Sequence, residues 1–114
     1  MIQVQISLSK GGQEVKEIEM TGHAGYGEHG QDIVCAAVSS QVISVENSLY
    51  QLLQVPVDTT VNEVEGGYLK LVLPSIEQKK LKHDVQLLLR HLILALEVTE
   101  QAYPEYIQIK QTIL

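Results

Sequence analysis

Apolar and polar residues alternate cleanly from the first residues: Ile2, Val4, Ile6 and Leu8 fall on one side of an extended chain, with Gln and Ser between them. Lys10, Gly11 and Gly12 supply a turn. The segment QEVKEIEM (13–20) then returns with Val15, Ile18 and Met20, which predicts a β-hairpin. The alternation slips between Val15 and Ile18, as a bulge in the second strand would make it. From Ile33 to about Gln54 the period changes. Val34, Ala37, Val38, Val42, Val45, Leu49, Leu52 and Leu53 recur at helical spacing, which predicts an amphipathic helix with one buried face and Asp32 as its N-cap. A second hairpin follows in VPVDTTVNEV (55–64), the turn EGG (65–67) and YLKLVL (68–73). SIEQ (75–78) has the spacing of a capping box. Leu81, Val85, Leu88, Leu89, Leu92, Ile93 and Leu96 then mark a second helix, which must end before Pro104. The tail YIQIKQTI (106–113) alternates weakly and is a candidate edge strand.

The predicted fold is therefore α+β: two helices packed on a mostly antiparallel sheet, in the order ββαββα with a C-terminal edge strand as an option. With 114 residues the chain is expected to form one domain, 1–114. Its 45% apolar content includes no Phe or Trp, so the core must be built from Val, Ile and Leu.

Charge narrows the partners. A net charge of −6 argues against direct nucleic-acid binding, and the short basic cluster Lys79, Lys80 and Lys82 reads as a solvated helix face. An acidic chain suits a basic partner. The opening residues do not resemble a signal peptide, no apolar run approaches a membrane span, and one cysteine cannot form an internal disulfide. No membrane association is expected, and the cytoplasm is the expected compartment.

The chemistry is concentrated between residues 22 and 40, GHAGYGEHGQDIVCAAVSS. Four of the eight glycines, Gly22, Gly25, Gly27 and Gly30, fall here, directly ahead of the only cysteine, Cys35. Four glycines exceed what a turn needs and point to close backbone approach or a segment that must move. Gly25 to Gly30 formally match G-x-G-x-x-G, but a hairpin precedes them, and the acid at about the right distance, Glu46, lies inside the predicted helix; nucleotide binding is rejected. His23, His29 and Cys35, six residues apart with Asp32 nearby, offer zinc donors in an unfamiliar spacing. No metal or cofactor is expected.

Nucleophilic catalysis is the third reading. A thiol attacks as thiolate, which a helix N-terminus and a neighbouring imidazolium both favour. With Asp32 as cap, Cys35 would be the third helical residue, beside open backbone N–H groups able to hold an oxyanion. His23, fixed by the end of the second strand, is the natural base. His29 is held only between glycines, and Tyr26 and Glu28 would project from the loop. The competing reading makes Cys35 a small core residue, Asp32 a cap, and Ser39, one turn on, a backbone-bonding serine. On the residues alone both stay open. His83 and His91 read as surface or boundary positions.

The same stretch closely resembles the signature of the bacterial ribosomal-processing cysteine proteases, the Prp family: G-H-A, a glycine-rich loop, then G-x-D-(I/V)-V-C-A-A-(V/I)-S. Gly22, His23, Ala24, Gly30, Asp32, Val34, Cys35, Ala36, Ala37, Val38 and Ser39 match it. The resemblance implies a Cys/His endopeptidase that removes a short N-terminal extension from the large-subunit ribosomal protein numbered twenty-seven. Carried over by position, Cys35 is the nucleophile and His23 the general base, with Asp32 placed among the catalytic residues. Gly22, Ala24, Gly25, Tyr26, Gly27 and Gly30 would contact the peptide as the loop closes over it, together with Ala36 and Ser39. The resemblance also implies a homodimer. The rival from another class is a non-catalytic peptide-binding or ribosome-assembly factor using the same groove.

Overall fold

The computed structural model describes residues 1–22, 29–62 and 67–114, with the backbone alone over 29–32. Its strands are β1 (Ile2–Leu8), β2 (Val15–Thr21), β3 (Asp58–Asn62), β4 (Tyr68–Val72) and β5 (Ile107–Ile113). The helices are α1 (His29–Gln51), between β2 and β3, and α2 (Lys79–Ala102), between β4 and β5. The strands form one five-stranded sheet in the order β3-β4-β2-β1-β5. Every neighbouring pair is antiparallel except β1 and β5, which run parallel. The expected α+β order ββαββα, with the C-terminal tail as an edge strand, is what the chain adopts.

The first hairpin carries the bulge. Ser7 pairs with Glu17 but Leu8 with Val15, leaving Lys16 as the extra residue. This keeps both Val15 and Ile18 on the buried face, and the freed Lys16 carbonyl accepts the Leu73 N–H at 2.9 Å. The buried face of the sheet carries Ile2, Val4, Ile6, Ile18, Met20, Leu69 and Leu71, and against it pack Val34, Val38, Val42 and Leu49 of α1 and Val85, Leu89, Leu92 and Leu96 of α2. The opposite face is polar and laced by side chains: Tyr68 Oη donates to Glu19 at 2.8 Å, and Lys70 pairs with Glu17 at 3.7 Å. Among the described residues no helix is long and apolar enough to cross a membrane.

Several expected boundaries move. The first helix starts at His29 rather than after Asp32, so Asp32 is a first-turn residue and not the cap. A glycine inside a helix costs about 1 kcal/mol, against which stands the burial of Val34, Cys35 and Val38 further along the same helix. Ala37 and Leu52, expected on the buried face, are exposed. The third strand is shorter than 55–64, because Val55 and Val57 reach the core as loop residues instead. SIEQ does not cap α2: Gln78 holds the N-cap position without a side-chain hydrogen bond. Leu73 continues the sheet hydrogen bonding and Pro74 biases its neighbour to extended backbone, so the chain reaches residue 79 before turning helical. The expected turn at 65–67 is described only at Gly67, and its other two residues lie outside the described set.

Candidate active site

The site is built where the end of β2 meets the second turn of α1. Cys35 is 2% exposed, on the face of α1 that also buries Val34 and Val38. Its Sγ donates to the carbonyl oxygen of Gly22 at 3.7 Å. A carbonyl can only accept, so in this contact the sulfur carries its proton, and attack requires a base to take it.

Gly22 is locked in place. Its φ of +78° is the left-handed conformation that glycine adopts without cost. Its N–H donates to the Gly67 carbonyl at 3.2 Å, which ties the site to the start of the second hairpin's return strand. On its other side stands the Met1 carbonyl, where a Cβ would fall well inside van der Waals contact. Met1 cannot easily retreat, because the next residue's N–H donates to the Tyr106 carbonyl at 2.8 Å. Three segments remote in sequence therefore fix one carbonyl beside the thiol. Neither Met1 nor Gly67 is visible as a site residue from sequence. Gly67 reads as a turn glycine and Met1 as a terminus, since no local pattern encodes contacts of that range.

The peptide carbonyl that accepts the thiol is the one joining Gly22 to His23. His23, Ala24, Gly25, Tyr26 and Gly27 themselves lie outside the described residues, as do the side chains of His29 and Asp32. In helical register Asp32 stands three residues before Cys35 and Ser39 four after it, so the three share a face. Ser39 is half-buried and Ala36 exposed. Gly30 belongs to the first turn of α1.

The start of α1 changes the expected electrostatics. Cys35 is the seventh helical residue, not the third, and six residues at about 1.5 Å each put it about 9 Å along the axis from His29. The dipole's influence falls off within the first turn, and the amide of a seventh helical residue is committed to the carbonyl four residues back. Open N–H groups beside Cys35 are thus not available as an oxyanion hole from its own turn. A nucleophilic thiol at this position would depend on a neighbouring base instead.

Gly22 follows directly on β2, the central strand, with β4 and β1 on its flanks. The thiol therefore lies at the end of the sheet and not along one of its edges. Of the remaining histidines, His83 and His91 are exposed on α2, and His83 Nδ1 lies 3.5 Å from Asp84. Lys79 and Lys80 are exposed as expected, whereas Lys82 bridges to Glu14 at 3.2 Å.

Comparison with known proteins finds similar chains elsewhere. Residues 1–108 match the model of the family described as cysteine protease Prp. The chain is 32% identical to the ribosomal processing cysteine protease Prp of Bacillus subtilis over 114 residues, covering the whole of both chains. It is 30% identical to the protein of the same name from Staphylococcus aureus, covering 96% of this chain and 97% of that one. The crystal structure of SMU.848 from Streptococcus mutans superposes with a TM-score of 0.90 at 37% identity, over 100% of this chain and 96% of the other. The Staphylococcus aureus protease Prp, solved in complex with a substrate peptide, gives a TM-score of 0.84 at 28% identity, over 98% of this chain and 100% of that one.

Proposed function

The chain belongs to the Prp family of cysteine proteases, and from that premise we propose that Cys35 and His23 form its catalytic dyad and that its substrate is the N-terminal extension of the large-subunit ribosomal protein numbered twenty-seven. The observation that carries the dyad is the Cys35 thiol held against the carbonyl that leads directly into His23. His23 takes the thiol proton as sulfur attacks the scissile carbonyl carbon. The protonated imidazole then gives that proton to the departing amine as the C–N bond breaks, leaving a thioester. Water, deprotonated by His23, attacks the thioester carbon and releases the new carboxylate, and the proton returns to sulfur. The Staphylococcus aureus protease Prp has been solved in complex with a covalently linked product peptide, which supports a covalent route of this kind. Asp32, on the Cys35 face one turn earlier, orients the imidazole.

The setting fits the task. Ribosomal proteins are basic and this chain carries −6, so encounter is steered electrostatically. We place it in the cytoplasm, as a single protease domain acting as a homodimer. To Ala24, Gly25, Tyr26 and Gly27, with Gly22, Gly30, Ala36 and Ser39, we assign the contacts to the peptide.

The test is mass spectrometry of the host's ribosomal protein precursor after incubation with wild type, Cys35→Ala and His23→Ala. Shortening by wild type alone, with both variants folded, is the expected result. A precursor left intact by wild type whose thiol still alkylates rapidly would remove the assigned substrate. Cleavage retained in His23→Ala would remove the assigned base.

A further inference from the structure

Among the described residues two side-chain hydrogen bonds tie α1 to the sheet. One is the Cys35 thiol on the Gly22 carbonyl at 3.7 Å. The other lies toward the far end of the helix, where the Thr59 hydroxyl of β3 donates to Glu46 Oε2 at 2.5 Å. Glu46 is the lone charged residue between Ile33 and Gln51, and its partner is a neutral hydroxyl instead of a cation. Both side chains are half-buried. Gln41, whose Oε1 is buried without a hydrogen-bond partner, anchors nothing there.

The apolar contacts between these two ties say little about where the helix sits along its own axis. Val34, Val38 and Val42 repeat at four residues, close to one turn, and Val45 and Leu49 continue the stripe, all of them buried. Hydrophobic burial is non-directional, so a stripe of like side chains one turn apart resists sliding weakly. Cys35 and Ser39 repeat at the same spacing, and a helix displaced by one turn would bring the Ser39 hydroxyl toward the Gly22 carbonyl in place of the thiol. A partly buried polar contact is what specifies register between apolar surfaces that would otherwise be degenerate.

We propose that Glu46 is a positioning residue for the nucleophile: its contact with Thr59 fixes the axial position of α1 and so the place of the Cys35 sulfur. The inference rests on Cys35 being the nucleophile, as read above. Thr59 is itself held, pairing with Leu71 of β4, which pairs with Ile18 of the central strand. An O–H donor on a carboxylate makes a short, strong and directional bond. Glu46 and Cys35 are eleven residues apart, about 16 Å along the axis. Neither glycine nor proline stands between them, so a shift at one end is carried to the other. At a reacting atom a displacement of about 1 Å is enough to cost about 100-fold in rate.

Turnover of a peptide spanning the precursor's cleavage site tests this beside alkylation of Cys35 by iodoacetamide at about pH 9, where a thiol ionises without help from a base. Urea melts confirm the fold of each variant, and Gly11→Ala, in the turn of the first hairpin, controls for lost stability alone. Thr59→Val should lower kcat about 10-fold with KM near wild type. By loosening the helix around a buried thiol it should also speed alkylation about 5-fold or more. Glu46→Leu should match it, and Thr59→Ser, which keeps the hydroxyl, should hold wild-type values in both assays. Gly11→Ala should change neither. Unchanged kcat and alkylation in Thr59→Val and Glu46→Leu overturn the proposal, as does a Thr59→Ser as impaired as Thr59→Val. Turnover retained in Cys35→Ala would instead overturn the nucleophile on which the inference rests. A wild type that leaves the peptide intact overturns the assigned substrate, while alkylation still reads the position of the helix.

Discussion

Replacing Gly22 by alanine asks two questions of the site at once, and Gly11 provides the internal control. Both glycines have positive φ, +78° and +93°. At Gly11 a Cβ would meet nothing within 4 Å, whereas at Gly22 it would collide with the Met1 carbonyl. A left-handed conformation costs an alanine about 1–2 kcal/mol, and the stiffer unfolded chain returns about 0.4–1 kcal/mol. Gly11→Ala should therefore destabilise by about 1 kcal/mol. Gly22→Ala carries the same strain plus the collision. Relieving it through one bond angle bent by 15° would cost about 4 kcal/mol. Spread over several torsions the cost falls, so about 3–5 kcal/mol in total is expected. At about 4 °C per kcal/mol for a chain of this size, Gly11→Ala should melt about 4 °C early and Gly22→Ala at least about 12 °C early.

Urea unfolding of the two variants beside wild type reads the difference, and peptide turnover measured well below the melting range reads the second question. The Gly22 carbonyl accepts the Cys35 thiol, so moving it should misplace the nucleophile and cost turnover about 100-fold, while Gly11→Ala stays near wild type. Equal destabilisation of the two variants, within about 0.5 kcal/mol, would refute the close approach to Met1. A large stability loss with unchanged turnover would show that this carbonyl does not seat the thiol.

Three further outcomes follow from the same geometry. Asp32→Asn should lower turnover at least about 10-fold while shifting stability by less than about 1 kcal/mol, the worth of a first-turn carboxylate at a helix N-terminus; the reverse pattern in kinetics and melts would make Asp32 structural. Glu14 is held below the usual carboxylate range by its hydrogen bond to Lys82, then by that to Lys16, with both ion pairs at 3.2 Å. A lowered folded-state pKa means that stability is present above the unfolded value and is lost as pH falls through the folded one. Glu14→Gln should accordingly cost under about 1 kcal/mol at pH 7 and progressively less as pH falls through the folded value, and a difference in urea midpoints that stays constant into acid would contradict it. Peptide binding should raise amide protection over residues 24–31, and hydrogen exchange that is equal with and without peptide would end that expectation.

What could be read from the chain follows from the range of the interactions involved. The first hairpin, including its bulge, is legible because a sheet buried on one face writes its register into alternating residues, and the slip between Val15 and Ile18 marks Lys16 as the extra one. The inner face of α2 is legible for the same reason at helical period, as Val85, Leu89, Leu92 and Leu96 are all buried. The start of α1 is not, because Gly30 looks like a loop residue until the packing behind it is known. Nor is the cap of α2, since Ser75 and Gln78 have the right spacing but the helix begins only after Gln78, which makes no side-chain cap hydrogen bond. At the site, Cys35 and Gly22 stand out in sequence as residue types. Their contact, and the clamp of Gly67 and Met1 on Gly22, join positions too far apart for any local pattern to record.

The clamp gives a physical reason for a lone thiol directly after a glycine-rich stretch. A side chain at position 22 would have to displace either Met1 or the left-handed turn, and both are fixed by hydrogen bonds to other segments. Glycine there lets the central strand end against the helix with its last described carbonyl on the sulfur. A cysteine serving only as core filler needs no such acceptor, because Val34 and Val38 on either side fill the same layer with none. The cost of the arrangement is access: Cys35 is 2% exposed, so a peptide carbonyl would meet the sulfur only once a packed neighbour withdraws. Protein and substrate must therefore rearrange together, and the binding energy of the peptide beyond the scissile bond is what can drive that step.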